Sequence, residues 1–292
     1  MPFLGIDIGG TFIKYGIIEN GQVINKWKVL TPKDNYCEFL KVIEKILINN
    51  SKNISGVGIS IPGKVDCDTG LIQHGGALPY LHNRNIKNDI KKILDIPIKV
   101  ENDGNAATLA EYEFGNLKNI NNGGAIILGT GVGSGYILDG ILRKGQNYQA
   151  GEISFMIQDN TLNGLSSFIA YKGSAVALVN KLANILGIKP EGKEVFNIIG
   201  ENEEALKVLK EYCKNIAYLI YNIQTILDLD TYVIGGGISA QSIVIDLINE
   251  GYDEIFNLSP IIKETFIRPR IISAKFREDS NLIGATCRLK ED

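Results

Sequence analysis

The sequence predicts an α/β fold made of two halves of similar design. Three β-rich segments in succession open the chain, and alternating helical and strand patterns follow them. The same opening pattern returns about 120 residues later, which indicates an internal duplication. With 292 residues the chain is longer than a usual domain of ~100–200 residues, so two domains are favoured over one.

Composition argues against several classes of protein. A net charge of −3 and a pI of about 5.6 disfavour a protein that holds nucleic acid through its overall charge. No apolar run approaches the ~20 residues that span a membrane. The N-terminus leads into an acidic, glycine-rich motif rather than a signal peptide, so we expect a cytoplasmic protein with no membrane or nucleic-acid partner.

The first half is predicted to open with three strands. Residues 3–18 form two strands joined by a tight Gly9-Gly10-Thr11 turn, and a third strand covers 23–30. The later elements are a helix over 35–50, a strand over 54–61, a hairpin over 65–72, a polar loop over 75–85, a helix over 88–94, a strand over 96–100 and a helix over 106–114. This order belongs to the ribonuclease-H-like half-domain, which the rules of strand and helix alternation allow but do not select.

The Gly9-Gly10 turn has residues that suit a phosphate site. Taken alone, two glycines are explained by a hairpin turn that needs positive φ. Here Asp7 precedes the turn, and Thr11 and Lys14 follow it. Bare backbone amides, a hydroxyl and an ammonium suit phosphate oxygens, and the carboxylate suits a hydrated Mg²⁺.

The junction after the strand over 96–100 carries the strongest candidate for catalysis. Glu101, Asn102, Asp103 and Asn105 are crowded into this strand-to-helix junction. An ordinary N-cap explains one of these polar residues and does not explain why four of them occur within five positions. Ligands of open α/β sheets gather at the carboxyl ends of strands, where a carboxylate flanked by amides suits a hydroxyl nucleophile. We therefore predict that Asp103 is a general base.

The second half repeats the opening design. A strand over 124–128 runs into Gly129–Gly135, a loop with four glycines in seven residues, and short strands over 136–138 and 141–143 follow. Gly/Thr hairpins from both halves could clamp the phosphates of a nucleotide. The later elements are a loop over 146–165, helices over 166–186, 194–199 and 203–227, a strand over 231–234, a triple-glycine turn before a helix, a strand over 271–274 and a helix over 280–289.

Four motifs in this order resemble those of the ROK family of sugar kinases and repressors, within the actin–hexokinase superfamily. They are Asp7-Ile8-Gly9-Gly10-Thr11 with Lys14, Glu101-Asn102-Asp103-Gly104-Asn105-Ala106, Gly129-Thr130-Gly131-Val132-Gly133-Ser134-Gly135 and Gly235-Gly236-Gly237-Ile238. The resemblance covers essentially the whole chain and implies two ribonuclease-H-like domains with a central cleft. It implies a sugar and phosphate side formed by residues 1–117 and 276–292, and a nucleotide side formed by residues 118–275.

The resemblance also implies a role for each motif residue. Asp103 would be the catalytic base. The sugar would be bound by Gly63, Asn83, Asn102, Asp103, Glu152 and Phe155. The phosphates and the nucleotide would be bound by Asp7, Gly9, Gly10, Thr11, Lys14, Thr130, Gly131, Gly133, Gly235, Gly236 and Gly237, with Asp7 acting on Mg²⁺ indirectly. ATP and Mg²⁺ are the implied cofactors, a small sugar is the implied partner, and relatives are commonly homodimers.

The chain departs from the family at its zinc site. Where the family has a Gly-Glu-x-Gly-His type of motif, this chain has Gly151-Glu152-Ile153-Ser154-Phe155, so phenylalanine replaces the histidine that binds sugar and zinc. Residues 156–190 contain neither Cys nor His, and the second sugar-binding glutamate of the family has no evident match. We therefore expect no zinc. Family members without zinc include N-acetylmannosamine kinases and β-glucoside kinases.

The predicted activity is ATP-dependent phosphorylation of the 6-hydroxyl of a hexose or N-acetylhexosamine. N-acetylmannosamine is the first candidate, and glucose or a β-glucoside is the alternative. A sugar-sensing repressor is disfavoured, since those relatives carry a helix-turn-helix domain before the first motif and here six residues precede Asp7. A sugar-binding module without catalysis is disfavoured by Asp103 and both Gly/Thr loops.

Overall fold

The computed structural model describes residues 2–158 and 161–290, with no side-chain detail for residue 290. These residues form two compact units. The first contains the described residues of 1–118, 142–151 and 278–292, and the second those of 119–141 and 152–277. Residues 142–151, which the sequence pattern places in the second half, group with the first unit. The division into a sugar side and a nucleotide side stays a prediction.

The first unit is built on a mixed five-stranded sheet. Its elements in chain order are β1 (Phe3–Ile8), β2 (Phe12–Glu19), β3 (Gln22–Leu30), α1 (Tyr36–Asn50), β4 (Val57–Ile61), β5 (Lys64–Asp66), β6 (Leu71–His74), β7 (Arg84–Asn85), α2 (Ile86–Lys91), β8 (Ile98–Asn102) and α3 (Asp103–Phe114). The sheet order is β3-β2-β1-β4-β8, and β5, β6 and β7 form a small separate sheet. β1 pairs antiparallel with β2 and parallel with β4, which pairs parallel with β8.

The second unit repeats this topology. Its elements are β9 (Gly123–Leu128), β10 (Val132–Leu138), β11 (Ile141–Leu142), α4 (Ile169–Lys172), α5 (Ala175–Leu186), α6 (Gly192–Ile198), α7 (Glu203–Leu227), β12 (Thr231–Gly235), α8 (Ser242–Phe256), α9 (Pro260–Thr265) and β13 (Arg270–Ser273). The sheet order is β11-β10-β9-β12-β13. β9 pairs antiparallel with β10 and parallel with β12, as β1 does with β2 and β4.

The single helix predicted over 166–186 is wrong, because the chain is interrupted at Gly173 and Ser174. A Cβ on Gly173 would lie 2.5 Å from Cγ2 of Val132, so only a residue without a side chain fits there. The hydroxyl of Tyr212 donates to the Gly173 carbonyl at 2.9 Å. The hydroxyl of Ser174 then accepts from the Ala177 amide at 3.1 Å and caps α5.

The last helix of the chain completes the first unit. This helix, α10 (Ser280–Cys287), packs against β1, β4 and α3. Glycines allow its backbone to approach closely: a Cβ on Gly58 of β4 would lie 2.2 Å from the Ala285 carbonyl oxygen. A Cβ on Gly284 would lie 1.7 Å from the Ala106 carbonyl oxygen. The helix therefore sits directly on neighbouring backbone, a contact in which even one methyl group does not fit.

No helix in the described part of the chain has both the length and the apolar character needed to cross a membrane.

We predict that Gly284→Ala destabilises the protein, because the added methyl must displace the backbone of α3. Overpacking of this kind costs ~1–3 kcal/mol, so the Tm in thermal unfolding should fall clearly. Gly192→Ala is the matched control, since a Cβ there meets no atom within 4 Å and the residue lies in α6. Alanine favours a helix over glycine by ~1 kcal/mol, so this control should keep or raise the Tm. Equal Tm values for the two variants would contradict the packing described here.

Candidate active site

Three parallel strands of the first unit end at one edge of its sheet. In their register Asp7 of β1 lies opposite Ser60 of β4, and Ser60 lies opposite Glu101 of β8. The next pair in this register is Ile61 with Asn102. The carboxyl ends of parallel strands are where ligands bind in open α/β sheets. The fold therefore gathers the first two sequence motifs at one edge.

Asp103 is the first residue of α3, directly after β8 ends. Asn102 is the N-cap: its Oδ1 accepts from the Asn105 amide at 3.1 Å, and its Nδ2 donates to the Gly63 carbonyl at 2.9 Å. The Asp103 carboxylate accepts from the Gly104 amide at 2.8 Å and is partly exposed. Asn102 thus ties the ends of two strands together, and Asp103 presents a carboxylate at that edge. The predicted helix start at residue 106 is three residues late.

Asp7 is a buried carboxylate at the same edge. Nδ2 of Asn281, in α10, donates to its Oδ1 at 3.0 Å. Burial raises the pKa of the Asp7 carboxyl, while the Asn281 hydrogen bond and the charge of Lys14 act in the opposite direction. The neighbouring Ser60 side chain is buried and also lowers the pKa of the Asp7 carboxyl. A buried carboxylate beside a hydroxyl is a set of oxygen groups that suits a hydrated Mg²⁺.

The turn after Asp7 is held by its own backbone. The Gly9 amide donates to the Phe12 carbonyl at 3.0 Å, so this amide is already occupied within the turn. The Thr31 hydroxyl donates to the Gly9 carbonyl at 2.7 Å, and the Lys33 ammonium donates to the Gly10 carbonyl. Gly10 and the exposed Thr11 are therefore the better candidates for contact with phosphate oxygens. Lys14 lies opposite Asp7 on β2.

The loop between β6 and β7 carries polar residues beside Gly63. Asn83 has a positive φ of 56°, and its side chain is exposed. The rings of His74 and His82, both exposed, lie with centroids 6.5 Å apart in the same region. No role was predicted for these histidines, although they lie near the predicted sugar residues Gly63 and Asn83. The signal for them was their position at the two ends of one polar loop.

In the second unit, the tight turn between β9 and β10 is shorter than the predicted glycine loop. The Gly129 amide donates to the Gly131 carbonyl at 3.0 Å, and Thr130 at the tip is exposed. The Gly129 carbonyl accepts from the Ala175 amide at 2.9 Å, at the start of α5. Gly133 lies inside β10, where it pairs with Ile127. The loop predicted over 129–135 is therefore wrong in extent, because β10 begins at Val132.

Ser154 links the predicted sugar-binding segment to this turn. Its Oγ accepts from the Val132 amide at 3.0 Å and donates to the Val132 carbonyl at 3.1 Å. Glu152 precedes it by two residues, and Phe155, which follows it, is 70% exposed. This role of Ser154 could not be predicted from the sequence, because a lone serine carries no signal of a contact with a distant strand.

The glycines after β12 differ in how strictly they are required. Gly236 has a φ of +94°, and a Cβ there would lie 2.0 Å from the Leu128 carbonyl oxygen, so glycine is needed at this position. Gly235 is the buried last residue of β12, which runs parallel to β9. Gly237 is exposed, and a Cβ there meets nothing within 4 Å. At Gly236 the chain therefore passes directly against the backbone at the end of β9.

Comparison with known proteins identifies the family. The sequence model of the ROK family matches residues 3–291 of this chain. The chain belongs to the ROK family. It is 27% identical to a β-glucoside kinase of Listeria monocytogenes, over 98% of this chain and 96% of that protein. It is 29% identical to an N-acetylmannosamine kinase of Haemophilus influenzae, over 100% of this chain and 96% of that protein.

The fold comparison agrees with the family. The crystal structure of a ROK family glucokinase from Streptomyces griseus, in complex with glucose and AMPPNP, superposes with a TM-score of 0.84. The alignment covers 98% of both chains at 24% identity. The predicted fold class, two ribonuclease-H-like halves of the actin–hexokinase type, is confirmed. The predicted enzyme class, a carbohydrate kinase, is confirmed with the family.

We predict that the purified protein contains no zinc. Within residues 2–158 and 161–290, no group of three His, Cys, Asp or Glu side chains is arranged to hold a metal ion. Elemental analysis should find far less than one zinc ion per chain. A chelator should leave the Tm unchanged, because no bound metal would contribute to the folding free energy. One zinc per chain would contradict this expectation.

Proposed function

We propose that this chain is an ATP-dependent kinase that phosphorylates the 6-hydroxyl of a substituted hexose, with N-acetylmannosamine first and a β-glucoside second. The observation that carries the proposal is the Asp103 carboxylate at the carboxyl edge of three parallel strands. Relatives matched over nearly their full length include a β-glucoside kinase and an N-acetylmannosamine kinase. A glucokinase is the alternative.

In this proposal Asp103 accepts the proton of the attacking hydroxyl. The carboxylate is fixed at the first turn of α3, where the Gly104 amide holds one of its oxygens. The side chain is partly exposed, as a carboxylate that meets a substrate hydroxyl must be. General-base catalysis by a positioned carboxylate contributes ~10²–10⁴ in rate. Asn102, held between α3 and Gly63, would orient the sugar beside it.

The Gly/Thr turn of each unit carries groups that would bind phosphate oxygens. Gly10 and Thr11 in the first unit, and Thr130 and Gly131 in the second, present backbone amides and exposed hydroxyls of the kind that bind phosphate oxygens. Asp7 and Ser60 would hold a hydrated Mg²⁺, which neutralises the charge that develops on the phosphates. Lys14, opposite Asp7, would add a positive charge beside the same group. Gly236 would border the adenine.

The exposed ring of Phe155 supports a substituted sugar. A phenylalanine that only filled the space of an absent zinc site would be buried, whereas this one is 70% exposed. An exposed ring offers an apolar face that suits an acetyl methyl or an aglycone. It lacks the hydrogen-bonding nitrogens that a histidine would offer a plain hydroxyl.

We predict that Asp103→Asn lowers kcat by at least ~10²-fold, because the amide cannot accept the proton, while sugar binding largely survives. Steady-state kinetics with saturating ATP and a binding titration with the sugar measure the two effects separately. Asp95→Asn is the matched control, since Asp95 is exposed in the loop before β8. Near-normal turnover of Asp103→Asn would remove Asp103 from the mechanism.

We predict that a substituted hexose is a better substrate than glucose. The experiment compares kcat/KM for glucose, N-acetylmannosamine, N-acetylglucosamine and a β-glucoside with ATP saturating. The margin should be modest, since an apolar wall discriminates by ~1–3 kcal/mol. Phe155→His should narrow it, whereas Phe155→Leu should preserve most of it as an apolar control. Glucose as the best substrate of the wild-type protein would instead make this chain a glucokinase.

A further inference from the structure

A buried carboxylate lies directly behind the predicted base and has no role in the mechanism above. Glu101 is two residues before Asp103 in β8, and only 1% of its surface is exposed. A charge removed from water is strongly unfavourable unless charged or hydrogen-bonding groups surround it. The groups around Glu101 therefore indicate what its charge does.

One oxygen of this carboxylate accepts three hydrogen bonds. The donors to Oε1 are the Cys67 thiol at 2.9 Å, the Asn102 amide at 3.1 Å and Nδ2 of Asn105 at 3.2 Å. Burial, and after it the charge of Glu101, raise the pKa of the Cys67 thiol, so this thiol stays protonated and can donate. Two of the three donors belong to the turn that carries Asp103. The carboxylate thus binds the turn at Asn102, before Asp103, and at Asn105, after it.

The second oxygen faces two cations. Nη1 of Arg288 lies 3.6 Å from Oε2 of Glu101, and Nζ of Lys144 lies 3.8 Å from it. Lys144 belongs to segment 142–151, which is attached a second time through the Tyr148 hydroxyl, 3.0 Å from Asp68. Asp68 also lies 3.7 Å from Arg288. These residues form one charged cluster inside the first unit.

We propose that Glu101 is a positioning residue that fixes the Asn102–Asp103 turn, and that Lys144 acts through it. The inference rests on the proposed function, since it takes Asp103 as the base. The charge of Glu101 holds the Asn102 backbone amide and the Asn105 side chain, which flank Asp103 in the chain. Lys144 balances that charge. The segment that contains Lys144 ends directly before Glu152, a predicted sugar-binding residue. The Glu101 carboxylate therefore contacts both the turn that carries Asp103 and the segment that leads to Glu152.

A double-variant cycle tests this role. Glu101→Gln keeps the shape of the side chain and removes its charge, and Lys144→Met removes the nearby ammonium. Glu101→Gln should lower kcat by about 10- to 100-fold with little change in sugar KM, as for groups that orient a functional residue. Lys144→Met should lower kcat less. The double variant should match Glu101→Gln alone, because Lys144 has nothing to act on once the charge is gone.

Arg143→Met is the matched control for Lys144→Met. Arg143 is the preceding residue in the same segment and is exposed, so the variant loses an equal charge away from the carboxylate. Its kcat should equal that of the wild-type protein. If the fold-reductions in kcat of Glu101→Gln and Lys144→Met multiply in the double variant, the two residues act independently. That result would overturn the proposal. A lower Tm with unchanged kcat in Glu101→Gln would reduce Glu101 to a structural role.

A pair of cysteine variants covers the case in which Glu101→Gln does not fold. Cys67→Ala removes one donor to the carboxylate without changing any charge, and Cys67→Ser keeps a donor. The kcat should fall in Cys67→Ala and recover in Cys67→Ser. Equal kcat values in the two variants would contradict a positioning hydrogen bond at Oε1.

Amide hydrogen exchange separates this inference from the proposed function. In folded Glu101→Gln, or in Cys67→Ala if that variant alone folds, the amides of residues 102–105 should exchange faster than in the wild-type protein. Unchanged exchange would overturn the positioning role, whatever the activity. A wild-type protein that phosphorylates no sugar of the panel would count against the proposed function alone.

Discussion

The parallel register of β1, β4 and β8 is the constraint on which the site of the first unit depends. It aligns Asp7, Ser60 and Glu101 across three strands, and it brings the turns that follow each strand to one edge. Side chains alternate between the faces of a sheet, so a shift of one residue in any pairing would send one of these groups to the opposite face. Asn102 locks this arrangement by joining α3 to the Gly63 carbonyl.

The parts of the fold that the sequence predicts well are those whose cause is local. β-branched runs ended by Gly-Gly or by Asn-Asp-Gly indicate β1, β2 and β8 from neighbouring residues alone. The missed features have distant causes. The break at Gly173 depends on Val132 in another strand, and the early end of the second glycine loop depends on pairing of Gly133 with Ile127. Glycine content alone suggested loop where the partner strand imposes β-structure.

The candidate site divides in the same way. Asp103, Asn102 and Asp7 stand in contiguous motifs, so their chemistry can be inferred from the printed sequence. The surroundings of Glu101 cannot, because Cys67, Lys144 and Arg288 come from three separate segments that meet only in the folded unit. The hydrogen bond from the Val132 amide to Ser154 Oγ also cannot be inferred from the sequence, because it joins two separate segments. Sequence motifs therefore indicate the groups that would touch a substrate, and the fold supplies those that hold them.

The place of α10 at the end of the chain affects how the protein folds during synthesis. The sheet of the first unit and α3 leave the ribosome early, but the helix that rests on Gly58 and on the backbone of α3 is made only after the second unit. At the usual ~5–20 residues per second, the interval is on the order of 10–30 s. Through that interval a glycine-lined face made for backbone contact stays uncovered, while the second unit is being synthesised. The first unit therefore begins to form before the second unit and can be completed only after it.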